Sequence, residues 1–226
     1  MFILYKLSKQ KKPMKIVTNI VIVLLSIVVV AGGFQILQPS LTEAVTDVVL
    51  VNQTVTTGIT ISSPSDITMT ALTTSQNTAV GTAVWTVTTN NAAGYNLTVF
   101  AGAAPAMVRS GGGGNIVDYT PAVSETPETW SVSSAAEFGY SAFGTHVPTG
   151  VWGTDSDCIA GADVPSAALK WRDFDLTGSQ DEIATSASQT STSGTASNLC
   201  VATEQAGIFA ASGSYTATIT GTALAL

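Results

Sequence analysis

Histidine is almost absent from this chain, with His146 the single one in 226 residues. A Ser-His-Asp relay needs an imidazole that accepts and returns a proton. His146 sits in Phe143-Gly144-Thr145-His146-Val147-Pro148, a run that reads as a loop. The neighbouring Gly139-Tyr140-Ser141-Ala142-Phe143 comes close to a Gly-x-Ser-x-Gly nucleophile elbow, but Phe143 stands where the sharp turn needs its second glycine. Tyr140 is therefore expected on a strand. A zinc site wants three or four Cys or His ligands at short spacing, and Cys158, Cys200 and His146 have no such spacing. The tract from Gly111 to Gly114 has no Lys-Ser or Lys-Thr behind it, so it reads as a flexible loop rather than a Walker-type phosphate cradle. These shortages point away from an enzyme.

Positive charge is the next scarcity, and what there is lies at one end. Five of the eight basic residues, Lys6, Lys9, Lys11, Lys12 and Lys15, precede an apolar run from Ile20 to Ala31 broken only by Ser26. Charge followed by an apolar stretch is the order of a secretory signal. Thr42-Glu43-Ala44 offers short residues where a signal peptidase reads, which places the start of the exported part near Val45. The residues leave a second outcome open. Ile16 to Leu37 is uncharged and, at about 1.5 Å per residue, just long enough to cross a bilayer as an anchor. On both readings the lysines stay inside and everything after Ala44 faces outward. Residues 1–44 are thus expected to form a hydrophobic export helix, as signal peptide or N-terminal membrane anchor. Residues 45–226 are expected to be one domain that is secreted or held at the cell surface, outside the cytoplasmic membrane.

Beyond Ala44 only Arg109, Lys170 and Arg172 remain, against the 14 acidic residues left when Glu43 is set aside, a net charge of −11. Such a surface repels phosphate, so no nucleic-acid partner is expected. Membrane contact is expected only through residues 16–37, if they are retained.

Serine and threonine are abundant, 51 of the residues from 45 onward. Thr with Val, Ile and aromatics favours pleated strands, where branched side chains lose little freedom. Period-2 alternation recurs: Ala83, Trp85 and Val87 share a face, as do Tyr95, Leu97 and Val99, then Trp130 and Val132, Phe138 and Tyr140, and Tyr215, Ala217 and Ile219. Turn residues separate these runs at Ser63 to Asp66, Asn90 to Gly94, Gly111 to Asn115 and Ser212-Gly213. The pattern predicts an all-β fold of roughly ten short strands in a single antiparallel β-sandwich of Ig-like type. Val147 to Val164 reads as a long surface loop, and so does Ala184 to Asn198, although its Ser/Thr-rich run also leaves room for a strand edge.

Cys158 and Cys200 form an even pair in an exported chain, so one disulfide is expected, worth on the order of 4 kcal/mol in the chain-entropy model. No cofactor is called for by any motif. Asp155, Asp157, Asp173 and Asp175 are the calcium candidates, because alternating carboxylates can present several oxygens from one side of a loop. Trp152 and Trp171, in or beside the long loops, are the candidates for stacking on sugar rings.

The run Trp85 to Val99, with its turn before Gly94-Tyr95-Asn96-Leu97, resembles the first signature of WxL-type bacterial surface domains, Gly-Trp-x-Leu with Tyr95 in the tryptophan's place. The terminal run from Gly213 through Tyr215 to Thr220 is similar to the lead of the second signature. The segment that follows, Gly221-Thr222-Ala223-Leu224, has Gly221 where the family has tryptophan. The resemblance implies a β-sandwich held non-covalently on cell-wall polymer. The expected function is a non-catalytic, exported structural or adhesive protein of the envelope, associated with wall polymer or other surface proteins. Two further functions stay open: a subunit that assembles with itself by strand exchange into a pilus or fibre, and a carbohydrate-binding module.

Overall fold

Strand-forming sequence is realised almost throughout the computed structural model, which describes residues 47–226 together with Leu24. The expected export segment and its boundary at residue 44 otherwise fall outside the described residues. Among these no helix is long and apolar enough to cross a membrane. The chain divides into two units, Met1–Gln53 and Thr54–Leu226. In the first, residues 47–53 take no regular secondary structure and are exposed.

The second unit is all-β, with twelve strands: β1(Ile59–Ile61), β2(Thr78–Thr89), β3(Tyr95–Ala101), β4(Val108–Arg109), β5(Val117–Asp118), β6(Ala136–Gly144), β7(Ile159–Gly161), β8(Val164–Pro165), β9(Asp181–Ser186), β10(Thr195–Gln205), β11(Tyr215–Thr216) and β12(Ile219–Ala225). A single-turn helix, α1(Thr149–Trp152), lies between β6 and β7. The largest sheet has the order β1-β2-β10-β6-β5, a second has the order β12-β3-β9, and β11-β4 and β7-β8 form two small ribbons. All pairings are antiparallel except β5 with β6.

The turn Asn90 to Gly94 carries the chain from the five-stranded sheet into the three-stranded one. Asn90 fixes its entry by accepting from Gly58 N and donating to Thr56 O, both at 2.7 Å. Gly94 fixes its exit at φ 90°, where a Cβ would stand 1.8 Å from the Ser186 carbonyl oxygen. Only glycine supplies both the conformation and the clearance.

One apolar cluster is shared by the two sheets. Trp85 and Val87 of β2, Leu199 and Val201 of β10, and Phe138 and Tyr140 of β6 meet Tyr95, Leu97 and Val99 of β3 and Ile183 of β9. Phe174 stacks on Tyr140 with centroids 4.1 Å apart, and Trp152 closes on the same tyrosine at 5.1 Å. Each such fully buried side chain contributes about 1.5–3 kcal/mol.

The opposite face of the five-stranded sheet is covered as well. Val80, Cys200 and Ala202 pack there against Tyr119, Cys158, Leu169 and Trp171, with Trp130, Val132 and Phe143 at the margin. The Cys158–Cys200 disulfide is formed inside this cluster, with a Cα–Cα distance of 5.4 Å. Thr82 donates its hydroxyl to Cys158 Sγ at 3.0 Å.

This second layer corrects two expectations. Val147 to Val164 is not a free surface loop: it contains α1 and β7, and it buries Trp152 and Cys158. Trp130 and Val132 are not on a strand; their alternation reflects packing of irregular backbone on the covered sheet face. Ala184 to Asn198 holds the end of β9 and the start of β10. The terminal run is also broken, because Ala217 and Thr218 separate β11, which pairs with β4, from β12, which pairs with β3.

Candidate functional site

The polar groups singled out by the sequence are engaged in holding the fold. His146 Nδ1 shares a hydrogen bond of 3.0 Å with the Tyr95 hydroxyl, whose pKa is raised by burial. Ser141 lies fully buried in β6, paired with Cys200 across the ladder and on the face turned from Tyr140. It stands on a regular strand, so no nucleophile elbow is present there.

The four calcium candidates do not come together as one group. Asp155 accepts from Ser156 N at 2.8 Å and from the Ser166 hydroxyl, and Asp157 accepts from Ile159 N at 3.2 Å, so both shape their own loop. The group the fold does assemble is Glu125, Asp175 and Asp181, whose oxygens lie within 4.8 Å of one another. Its central cation is Arg172. The guanidinium pairs with Glu125, with Asp181 Oδ1 at 2.5 Å and with Asp175 Oδ2 at 3.3 Å, while Asp173 lies 3.8 Å from its Nε. Tyr140 donates to Asp181 Oδ2 at 2.5 Å. Burial pushes Asp181 up to about 6, against the pull of Tyr140 and Arg172. Burial likewise raises Asp175, and with Asp181 beside it the Tyr140 hydroxyl rises well above the usual phenol range. With Arg172 among them, a metal ion would have to displace a guanidinium already bound to the same oxygens. The carboxylates Asp173, Asp175 and Asp181 stand out in the sequence as a cluster, but Glu125 lies 47 residues from Arg172 and nothing local marks that arginine as their shared cation.

The sugar-stacking candidates are also corrected. Trp152 is 2% exposed and Trp171 0%, so neither presents a ring face to a ligand. Trp171 donates its indole N–H to Ser166 O at 3.1 Å inside the covered layer. Trp130 is the half-buried tryptophan, stacked on Tyr119 with centroids 4.6 Å apart and bonded to Glu204 at 2.6 Å.

The positions carrying the WxL resemblance are structural. Tyr95 and Leu97 are fully buried in β3, and Tyr215 lies in β11 with its hydroxyl donating to Ala211 O at 2.6 Å. A Cβ on Gly221 would stand 2.7 Å from Trp85 Cε2. The Trp85 indole occupies the space that a large side chain at position 221 would need.

What remains open is a cleft. It has a volume of about 920 Å³ and is floored by Ala83, Trp85, Leu199, Val201 and Phe138. Pro64 to Leu72 forms one wall and Ala210 to Ile219 the other. The floor residues are already buried, and the walls alternate apolar Ile67, Met69 and Ala217 with polar Thr68, Ser214 and Thr218. No family model, curated protein or solved structure matches this chain. The cleft was not foreseen from the sequence: Ile67, Met69 and Leu72 alternate weakly with Thr and carry no turn or motif signal. Asp66 is the one charged residue in its lining, so it presents no convergent charges to a ligand.

Proposed function

We propose that this chain is an exported, non-catalytic structural protein of the cell envelope, built as a single antiparallel β-sandwich of Ig-like or WxL-like kind. The observation that carries the reading is the Cys158–Cys200 disulfide, seated between the five-stranded sheet and its outer layer. A disulfide in that position belongs to an oxidising compartment. The lysine-rich start followed by Ile20 to Ala31 supplies the route outward. Support for one sandwich comes from the apolar cluster that both large sheets share. Retention on wall polymer rests on the WxL resemblance alone.

Fractionation of cells with thiol labelling and N-terminal sequencing tests the reading. The expected result is protein outside the cytoplasmic membrane, without free thiols, beginning either near Val45 or at Met1. Recovery from the cytosol with two labelled cysteines overturns it. A second reading, assembly by strand exchange, is favoured over carbohydrate binding because both candidate tryptophans are buried.

A further inference from the structure

The wall of the cleft formed by Pro64 to Leu72 covers sheet surface without joining the sheet. Ser62 to Thr73 takes no regular secondary structure, yet it lies across β2 and β10 at Gly81 and Thr203. Its two ends are tied. Ser62 N donates to Thr86 O at 2.9 Å, and Gln205 Nε2 donates to Thr73 O at 2.7 Å. Between these ties, no backbone hydrogen bond holds residues 63–72 to the described residues.

Side chains hold the middle of this strap instead. Ile67 and Met69 are half-buried against the core shared by the two sheets, while Asp66, Thr68 and Thr70 are exposed. Gly81 makes their seat, because a Cβ there would stand 2.2 Å from Ile67 Cγ2 and 3.3 Å from Met69 Cγ. The attachment of the strap thus rests on two apolar side chains in a glycine notch.

Met69 is the vulnerable one of the pair. A thioether is soft and open to oxidation, and oxidation turns an apolar side chain into a polar one. The Met69 side chain is half-buried and lines the cleft, so small solutes reach it from there. Its Sδ already accepts from the Thr203 hydroxyl at 3.7 Å. Met107, the other methionine among the described residues, also borders the cleft but is 8% exposed and belongs to the buried core.

We infer that Met69 is a site of reversible oxidation by a hydroperoxide, and that the strap it seats loosens when the sulfur carries oxygen. A sulfur lone pair attacks the peroxide, an S–O bond forms, and the O–O bond breaks. The other oxygen leaves with the proton as water or an alcohol. Sulfur loses two electrons and the peroxide gains them; a thiol-driven reductase returns the two electrons and releases the oxygen as water. The new oxygen sits beside Ile67 and Val201, where the Thr203 hydroxyl supplies one hydrogen bond. Its remaining hydrogen bonding has to come from water, which enters as the strap lifts.

Hydrogen peroxide added to the full chain, followed by peptide mapping and amide hydrogen exchange read by mass spectrometry, tests this. Met69 is expected to gain one oxygen at least about 10-fold faster than Met107. Exchange over residues 63–72 should then rise at least about 10-fold, while residues 199–203 of β10 stay protected. Treatment with a methionine sulfoxide reductase should restore the first value. Met69→Leu, which conserves volume, is expected to exchange as the native chain does and to be unaffected by peroxide. Met69→Gln puts a polar oxygen in the notch and should show the raised exchange without peroxide; the peroxide arms decide alone if that variant does not fold. Met107 oxidised as fast as Met69 overturns the inference. So does a strap whose exchange is unchanged once Met69 is oxidised, or one that loosens equally in peroxide-treated Met69→Leu.

Discussion

At Gly94 the requirements on a residue are the most severe among the described glycines. Its φ of 90° is strained for any residue with a Cβ, and the Ser186 carbonyl would meet that Cβ at 1.8 Å. Gly94→Ala must therefore distort the backbone and push β3 from β9. The expected loss is at least about 3 kcal/mol in urea unfolding, a value reserved for core or backbone disruption. Gly58→Ala, where nothing lies within 4 Å of the added carbon, is the control and should change little. A loss below about 1 kcal/mol at Gly94 would contradict the turn geometry described above. The requirement at Gly94 was readable in advance, because Asn-Asn-Ala-Ala-Gly between two alternating runs announces a turn. That at Gly221 was not: nothing local to β12 reveals that the Trp85 indole, from a strand far earlier in the chain, stands over it.

Among the strands, legibility follows how many faces are buried. Tyr95–Ala101 alternates strictly between buried and half-buried residues, because one face of β3 meets the core and the other does not. The period-2 pattern is its direct image. In β10 residues 199–203 are buried without interruption, since the disulfide-bearing layer covers the face that would otherwise be wet. Alternation is then erased, and the start of this central strand reads as part of a Ser/Thr loop. The covering layer is illegible for a related reason. It is held by single backbone pairings, Glu128 with Trp171 and Tyr140 with Arg172, which leave no periodic trace in the sequence.

That layer should depend on its crosslink. Cys158→Ser with Cys200→Ser is expected to cost about 4 kcal/mol and, for a domain of this size, to lower the melting temperature by roughly 10 °C. The tryptophan emission of Trp130 and Trp171 should shift to the red before strand structure is lost by circular dichroism. Coincident loss of both signals with an unchanged midpoint would show that the layer does not need the disulfide.

Over the whole molecule, four half-buried carboxyls share one tendency. Asp118, Glu137, Asp175 and Asp181 are all raised, with burial the largest cause in each. A raised carboxyl holds its proton in the folded state at a pH where the unfolded chain has released it. Its contribution to stability is complete below pH 4 and is lost as pH climbs through the folded value, about 6 for Asp181. At about 1.4 kcal/mol per unit, that residue alone accounts for on the order of 3 kcal/mol. The melting temperature is expected to fall between pH 4.5 and 6.5, and Asp181→Asn to flatten the fall. A melting temperature that rises over this interval would show that ion pairing with Arg172 outweighs burial.

The register of the two large sheets governs when they can exist. β2 pairs along its length with β10, Val87 opposite Thr195, and β3 waits for β12, Ala101 opposite Ile219. β1 and β9 offer earlier partners, but neither sheet is complete until residues 195–225 have been synthesised, and pairings of such long sequence separation form slowly. The emerging chain therefore stays slack and threadable through most of its synthesis, and Cys200 finds Cys158 only after β10 is in place. That order, threading first and stiffening afterwards, is the one that the proposed export would require.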